Sequence, residues 1–176
     1  MIIDKEIVSK IATEYVFTTG IVDIDSRYFK KKIDQGVQTS TINYTTNVHG
    51  KHTEWKFFNS DEKFCIVLFQ LIDHLETLNI DLDKFSLWDA WGLKEGFGDY
   101  TKRHHHDSFY FSGVLYLDNH DQTLFFPDIK QEVTPKKGRF VVFSSFLEHY
   151  TKRNMKHKEK YAISFNFKKA LVGEKF

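Results

Sequence analysis

The sequence predicts a mainly β chain with helices: an N-terminal α+β portion over residues 1–84, packed on a C-terminal antiparallel β core over residues 85–176. Three observations lead there. Aromatic residues make up 16% of the chain, with 18 Phe against 3 Trp, and aromatic side chains suit the half-buried surface of a pleated sheet. From Phe85 onward, short aromatic and aliphatic runs are broken at Gly96, Gly98, Asp118-Asn119, Pro127-Asp128, Pro135 and Gly138. Such punctuation marks a sandwich or barrel and not alternating β and α units. Convincing helical periodicity is confined to one segment, which follows Asn59.

Taken in order, residues 1–58 read as short β-like pieces, Ile2 to Ile11 and Glu14 to Val22, interrupted by Gly20, Gly36 and Gly50. Next, Asn59 is placed to cap a helix, with Glu62 reaching back to complete a capping box. Phe64, Leu68, Leu71, Ile72, Leu75 and Leu78 then recur at helical spacing. His74 lies between Asp73 and Glu76 and reads as a solvated helix residue. The segments Phe111 to Leu117 and Phe140 to Phe143 read as strands, the latter continuing toward His149. No glycine- or proline-rich linker separates the two portions, so 1–176 is expected to form a single domain.

Composition narrows the function. With 25 Lys and Arg against 24 Asp and Glu, the net charge is +1, which argues against a nucleic-acid or anionic-membrane surface. The basic run Lys30-Lys31-Lys32 reads as a solvated face. Cys65 is the single cysteine, so no internal disulfide can form, as in a reducing compartment. Neither a signal peptide nor a membrane-spanning run is recognisable. A cytoplasmic protein acting on a small molecule or peptide, without nucleic-acid or membrane partners, is expected.

The chemistry is concentrated at His104-His105-His106-Asp107, with His149 about forty residues further on. Side chains two apart on a strand point the same way. His104 and His106 can therefore converge, as can His105 and Asp107. His149 from a distant strand would close one face of a metal and leave the other open, as a catalytic iron site requires. His49, His52, His120 and His157 lack matching spacing and read as surface residues.

From about Phe85 onward, the ordered set His104-His-His106, Ser112-Gly-Val-Leu-Tyr116, Pro135-Lys-Lys-Gly138, His149 and Lys160-Tyr-Ala-Ile-Ser-Phe-Asn166 resembles the iron(II)- and 2-oxoglutarate-dependent oxygenases, in particular a bacterial and phage branch. Upstream, Asn47-Val-His-Gly-Lys-His-Thr-Glu-Trp55 resembles that branch more loosely. The resemblance implies a double-stranded β-helix (jelly-roll) core with Fe2+ at its open end. It also implies 2-oxoglutarate and O2 as cosubstrates, with succinate, CO2 and a hydroxylated product. Alignment on Ser112-Gly-Val selects His104, His106 and His149 as metal ligands. Asp107 stands as the alternative carboxylate ligand, or as a partner to a ligand imidazole.

The resemblance further implies a basic residue after the distal histidine, pairing with the far carboxylate of 2-oxoglutarate; Lys160 occupies that place. Its strand alternates between a polar face (Lys160, Ala162, Ser164, Asn166) and an aromatic one (Tyr161, Ile163, Phe165, Phe167). Arginine is the usual anchor because its fork binds a carboxylate through two bonds, and Arg153 is the competing candidate. Two other functions stand beside this one. A cupin-like metalloprotein without 2-oxoglutarate fits Gly98 followed by His104 and His106, though Tyr110 and Phe111 stand where its acidic ligand belongs. A non-catalytic jelly-roll module, with incidental histidines, is the other.

Overall fold

The computed structural model describes residues 1–10, 14–42, 46–78, 80 and 84–169. Along the chain run β1 (Ile2–Lys10), β2 (Glu14–Ile21), α1 (Ser26–Thr39), β3 (Val48–His49), β4 (Lys51–His52), α2 (Glu62–Thr77), β5 (Phe85–Glu95) and β6 (Tyr100–Thr101). They are followed by β7 (Phe111–Tyr116), β8 (Leu124–Phe126), β9 (Gln131–Val133), β10 (Arg139–Ser144), β11 (Tyr150–Thr151) and β12 (Lys160–Lys169). Seven strands form one sheet in the order β1-β2-β10-β7-β12-β5-β4, while β11-β8-β9 and β3-β6 form two smaller sheets. Strand pairing is antiparallel throughout the described residues. This is the expected jelly-roll architecture, with β12 and β7 central.

The alternation along β12 divides the interior. Tyr161, Ile163, Phe165 and Phe167 enter an apolar core with Phe29 and Ile33 of α1 and Phe64, Leu68, Leu71 and Leu75 of α2. On the opposite face, Ala162 packs with Trp91, Leu93, Tyr116 and Phe143 of the large sheet and Leu124, Phe126 and Val133 of the small one. The helices thus back the large sheet, and the small sheet covers its other side. Buried aromatics of this number remove enough apolar surface from water to drive the packing, roughly 25 cal/mol per Å².

Two glycines of the motifs have steric reasons. At Gly113, directly opposite Phe165 on β12, a Cβ would stand 2.3 Å from the Phe165 ring. Gly138 has φ +76° and the Val22 carbonyl oxygen would lie 2.0 Å from any Cβ there. Only glycine satisfies both demands.

The N-terminal region differs from expectation. Helix α1 is not expected from the sequence pattern, which places a helix only after Asn59: the Asp25 side chain accepts from Tyr28 N, and Phe29, Ile33 and Gly36 are buried. This stripe is narrow, and Gly36 reads as a breaker, yet its missing side chain is what lets Thr53 and Phe57 approach. Helix α2 is present, but Asp61 and not Asn59 caps it, accepting from Phe64 N at 3.1 Å. Asn59 instead donates to the Trp88 carbonyl, and Glu62 becomes the first helical residue, where its charge complements the helix dipole. Three histidines expected at the surface are buried: His74 bonds Thr18 Oγ1 at 3.0 Å, His120 bonds the Lys158 carbonyl, and His52 is 8% exposed. Each has a polar partner or an aromatic neighbour, so burial leaves no bare dipole.

Candidate metal centre

The sequence reading carries the β10 strand on to His149, but the strand ends at Ser144. There the chain turns: Leu147 N donates to Ser144 O at 3.0 Å, and Ser145 N to Tyr110 O at 3.0 Å. His149 consequently stands on the far side, just before β11 of the small sheet. The His104–His106 segment is likewise not a regular strand. It is held by a single antiparallel bridge between His104 and His149 and by donation from His106 N to Ser145 O at 2.8 Å.

This backbone lattice brings three imidazoles together. One ring nitrogen from each of His104, His106 and His149 lies within 4.8 Å of the others, and the group can hold a metal ion. His104 Nδ1 lies 2.7 Å from Lys102 O, and His149 Nδ1 lies 3.0 Å from Leu147 O. A carbonyl can only accept, so both Nδ1 atoms carry the proton and both Nε2 atoms keep a lone pair. Such outer bonds orient metal-binding histidines.

All three rings are held neutral. Burial pushes the His106 imidazole down to about 4, with repulsion from His104 and His105 adding to it. Burial likewise lowers His149 well below the ordinary imidazole value, again assisted by its two neighbours. For His104 burial outweighs the bond to Lys102. Neutral imidazole is the metal-binding form, and a three-nitrogen donor set suits Fe2+ as well as other first-row metals.

Asp107 lies apart from this group. Its carboxylate pairs with His105 Nε2 at 2.8 Å, and the two side chains are 83% and 41% exposed. It therefore partners the outward histidine and not a ring of the triad. Arg153 also lies outside: it is exposed, donates to Gly98 O at 3.0 Å and stacks over Tyr100.

Lys160 is directed into the cavity that the triad lines, together with Tyr116, Ala162 and Ser164. The polar face read from the alternation is the cavity wall. What the sequence did not reveal is Glu95, opposite Lys160 on β5, which contacts Lys160 Nζ at 2.6 Å. The signal was present in the alternation Asp89, Trp91, Leu93, Glu95 along one strand face.

A wider cavity of about 720 Å³ opens on the other side of His104 and His106, lined by Trp55, Trp88, Trp91, Asp89 and Phe109. Asp89 and Asn166 of its lining belong to a row of hydrogen bonds across three strands: Ser112 Oγ, which lines the triad cavity, donates to Asn166 Oδ1 at 2.6 Å, and Asn166 Nδ2 to Asp89 Oδ1 at 2.9 Å. Burial raises the Asp89 carboxyl above its ordinary value despite that bond. Trp88 has no pairing partner on β12, because the register slips there from Asn166–Asp89 to Phe167–Leu87. The resulting bulge turns Trp88 to the cavity, as bulges near functional sites do.

No protein-family profile matches the chain, and no curated protein does. Solved structures do. A prolyl-4-hydroxylase from Pseudomonas putida is 18% identical, with 88% of this chain and 92% of that one superposed at a TM-score of 0.65. A viral collagen prolyl hydroxylase from Paramecium bursaria Chlorella virus-1 is 15% identical, with coverage of 88% and 90% and a TM-score of 0.65. HygX from Streptomyces hygroscopicus, solved with nickel and 2-oxoglutarate bound, is 9% identical, with coverage of 87% and 82% and a TM-score of 0.59. Over most of its length, this chain has the double-stranded β-helix fold of the iron(II)- and 2-oxoglutarate-dependent oxygenases.

Proposed function

We propose that the protein is an Fe2+- and 2-oxoglutarate-dependent oxygenase that hydroxylates a small molecule or peptide. The observation that carries this reading is the convergence of three neutral imidazoles and one buried lysine on a single cavity within this fold. Prolyl hydroxylases and a nickel- and 2-oxoglutarate-bound enzyme among the structural neighbours support it.

When bound, the metal and the oxo acid supply the oxidation of an unactivated C–H bond by O2, with release of succinate and CO2. The chain's own residues bind and orient. His104, His106 and His149 would hold the metal, His104 and His149 through Nε2 because their Nδ1 protons are fixed on backbone carbonyls. Lys160 donates to the far end of the oxo acid. The Trp-lined cavity takes the substrate beside His104 and His106, where Trp55 and Trp91 exclude water and Asp89 and Asn166 offer polar contacts. The net charge of +1 supports a small-molecule or peptide substrate over nucleic acid.

An anaerobic Fe2+ titration with and without 2-oxoglutarate tests the proposal. A visible charge-transfer band that needs both components is expected. Iron binding without any spectral response to 2-oxoglutarate would point to a cupin-like protein, and no iron binding to a non-catalytic module.

A further inference from the structure

Lys160 is not a free cation. Strand pairing sets it directly opposite Glu95, and the contact at 2.6 Å joins side chains only 4% and 1% exposed. Glu95 has a second oxygen, Oε1, that is buried without a hydrogen-bond partner among the described residues. A buried acceptor left bare is costly, and natural structures seldom keep one without a use.

Among the described residues, no cation besides Lys160 is in contact with Glu95. From β7, Tyr116 is a fully buried phenol whose ionisation is suppressed by burial and then by the Glu95 charge. Arg139 on β10 acts on that phenol in the opposite sense. Thr101 of β6 and Thr151 of β11 line the same cavity and are uncharged. Gly50, beside β4, lies against the Glu95 side chain. The neighbouring Lys94 is bound elsewhere, to Asp34 and Glu159.

A bare carboxylate arriving at Lys160 would therefore place two anions against one cation in a site closed to water. Like charges so placed cannot both persist, and one takes up a proton. We propose that Glu95 determines what the far end of the oxo acid must be: a group that donates as well as accepts, either a carboxylic acid carrying its proton or a carboxamide. Lys160 donates to its carbonyl oxygen, and Glu95 Oε1 accepts its O–H or N–H. The dianion of 2-oxoglutarate then binds together with one proton from solvent, so charge balances within the pocket. This rests on the oxo-acid reading of the cavity given above.

Calorimetric titration of the full chain, loaded with redox-inert Zn2+, tests the idea. The ligands are 2-oxoglutarate and its C5 monoamide, each in two buffers of different ionisation enthalpy. Wild type is expected to take up about one proton with 2-oxoglutarate and none with the monoamide, and to bind the amide at least as tightly. The isosteric Glu95→Gln leaves Lys160 an unshared cation. It should bind 2-oxoglutarate about tenfold or more tightly, without proton uptake, and lose the preference for the amide. Equal 2-oxoglutarate affinity in both proteins without proton uptake overturns the role of Glu95 and leaves the oxygenase reading standing. Failure of both proteins to bind either ligand overturns both. The wild-type proton count stands by itself should Glu95→Gln fold poorly.

Discussion

His104 and His149 hold each other through the main chain, His149 N donating to His104 O at 2.9 Å and His104 N to His149 O at 3.2 Å. Their rings lie 4.3 Å apart, centroid to centroid. The bridge joins a loop to the start of the small sheet, so the spacing between two candidate ligands is fixed by backbone hydrogen bonds and not by side-chain packing alone. A site held in this way is preorganised before any metal arrives.

Removing His149 should cost both metal and some stability. Its ring is buried and packs edge-on to Phe143 at 4.8 Å, so His149→Ala opens a void inside the sandwich. A loss of about 1–3 kcal/mol is expected from the vacated contacts, with the fold retained. Fe2+ or Zn2+ binding at micromolar metal should disappear in a titration, because two imidazoles chelate poorly. A folded variant with unchanged affinity would remove the metal site.

The triad and the His105–Asp107 pair are separable by mutation. His104→Ala should abolish metal binding, whereas His105→Ala and Asp107→Ala should retain it, since that pair is exposed to solvent. Thermal unfolding of the last two should match wild type, as exposed ion pairs contribute little. Iron loss in Asp107→Ala would reassign the ligand set.

Lys160→Ala should be costly twice. It strands the Glu95 carboxylate in the interior, and breaking a buried pair typically destabilises by about 3–5 kcal/mol. Denaturant melts should show much of that loss recovered in the double variant Glu95→Gln with Lys160→Met, whose apolar and neutral side chains need no counterion. In whatever folded fraction remains, Lys160→Ala should raise the apparent 2-oxoglutarate constant by about 30-fold or more while metal affinity without cosubstrate stays unchanged.

Acid should destabilise the metal-free protein earlier than carboxylate titration alone predicts. The folded-state values of His104, His106 and His149 are all depressed, that of His106 to about 4. Protons therefore bind the unfolded chain more readily. The stability is fully present above the unfolded value of about 6.5 and is lost progressively as pH falls from there toward about 4. Urea midpoints measured across that window should fall with pH, and His106→Asn should flatten the profile.

Gly113→Ala should destabilise the central strands that back the site. The added methyl would meet the Phe165 ring at 2.3 Å, and both residues lie in the middle of paired central strands. Overpacking of this kind costs about 1–3 kcal/mol, readable as a lowered melting temperature. An unchanged melt would mean that Phe165 moves aside freely.

Local periodicity was enough to determine several parts of this protein. The polar and aromatic faces of β12, the turn glycine at 138 and the body of helix α2 are all properties of neighbouring residues, and each stands in the structure where the pattern put it. Alternation alone set Lys160 on the pocket wall and Phe165 in the core. What required the tertiary structure was everything set by pairing between distant segments. That the rings of His104 and His106 gather with His149, while His105 and Asp107 pair outside, goes with a bridge between His104 and His149 that no local pattern encodes. Helix α1 was hidden because its interior glycine reads as a breaker until Thr53 and Phe57 are seen packed against it. The capping residue of α2 was decided by which Asx side chain the Trp88 carbonyl engaged. Glu95 gained its meaning only from the register that sets it across from Lys160: strand pairing is a long-range choice, and a shift of one residue would have turned that carboxylate to the other face of the sheet.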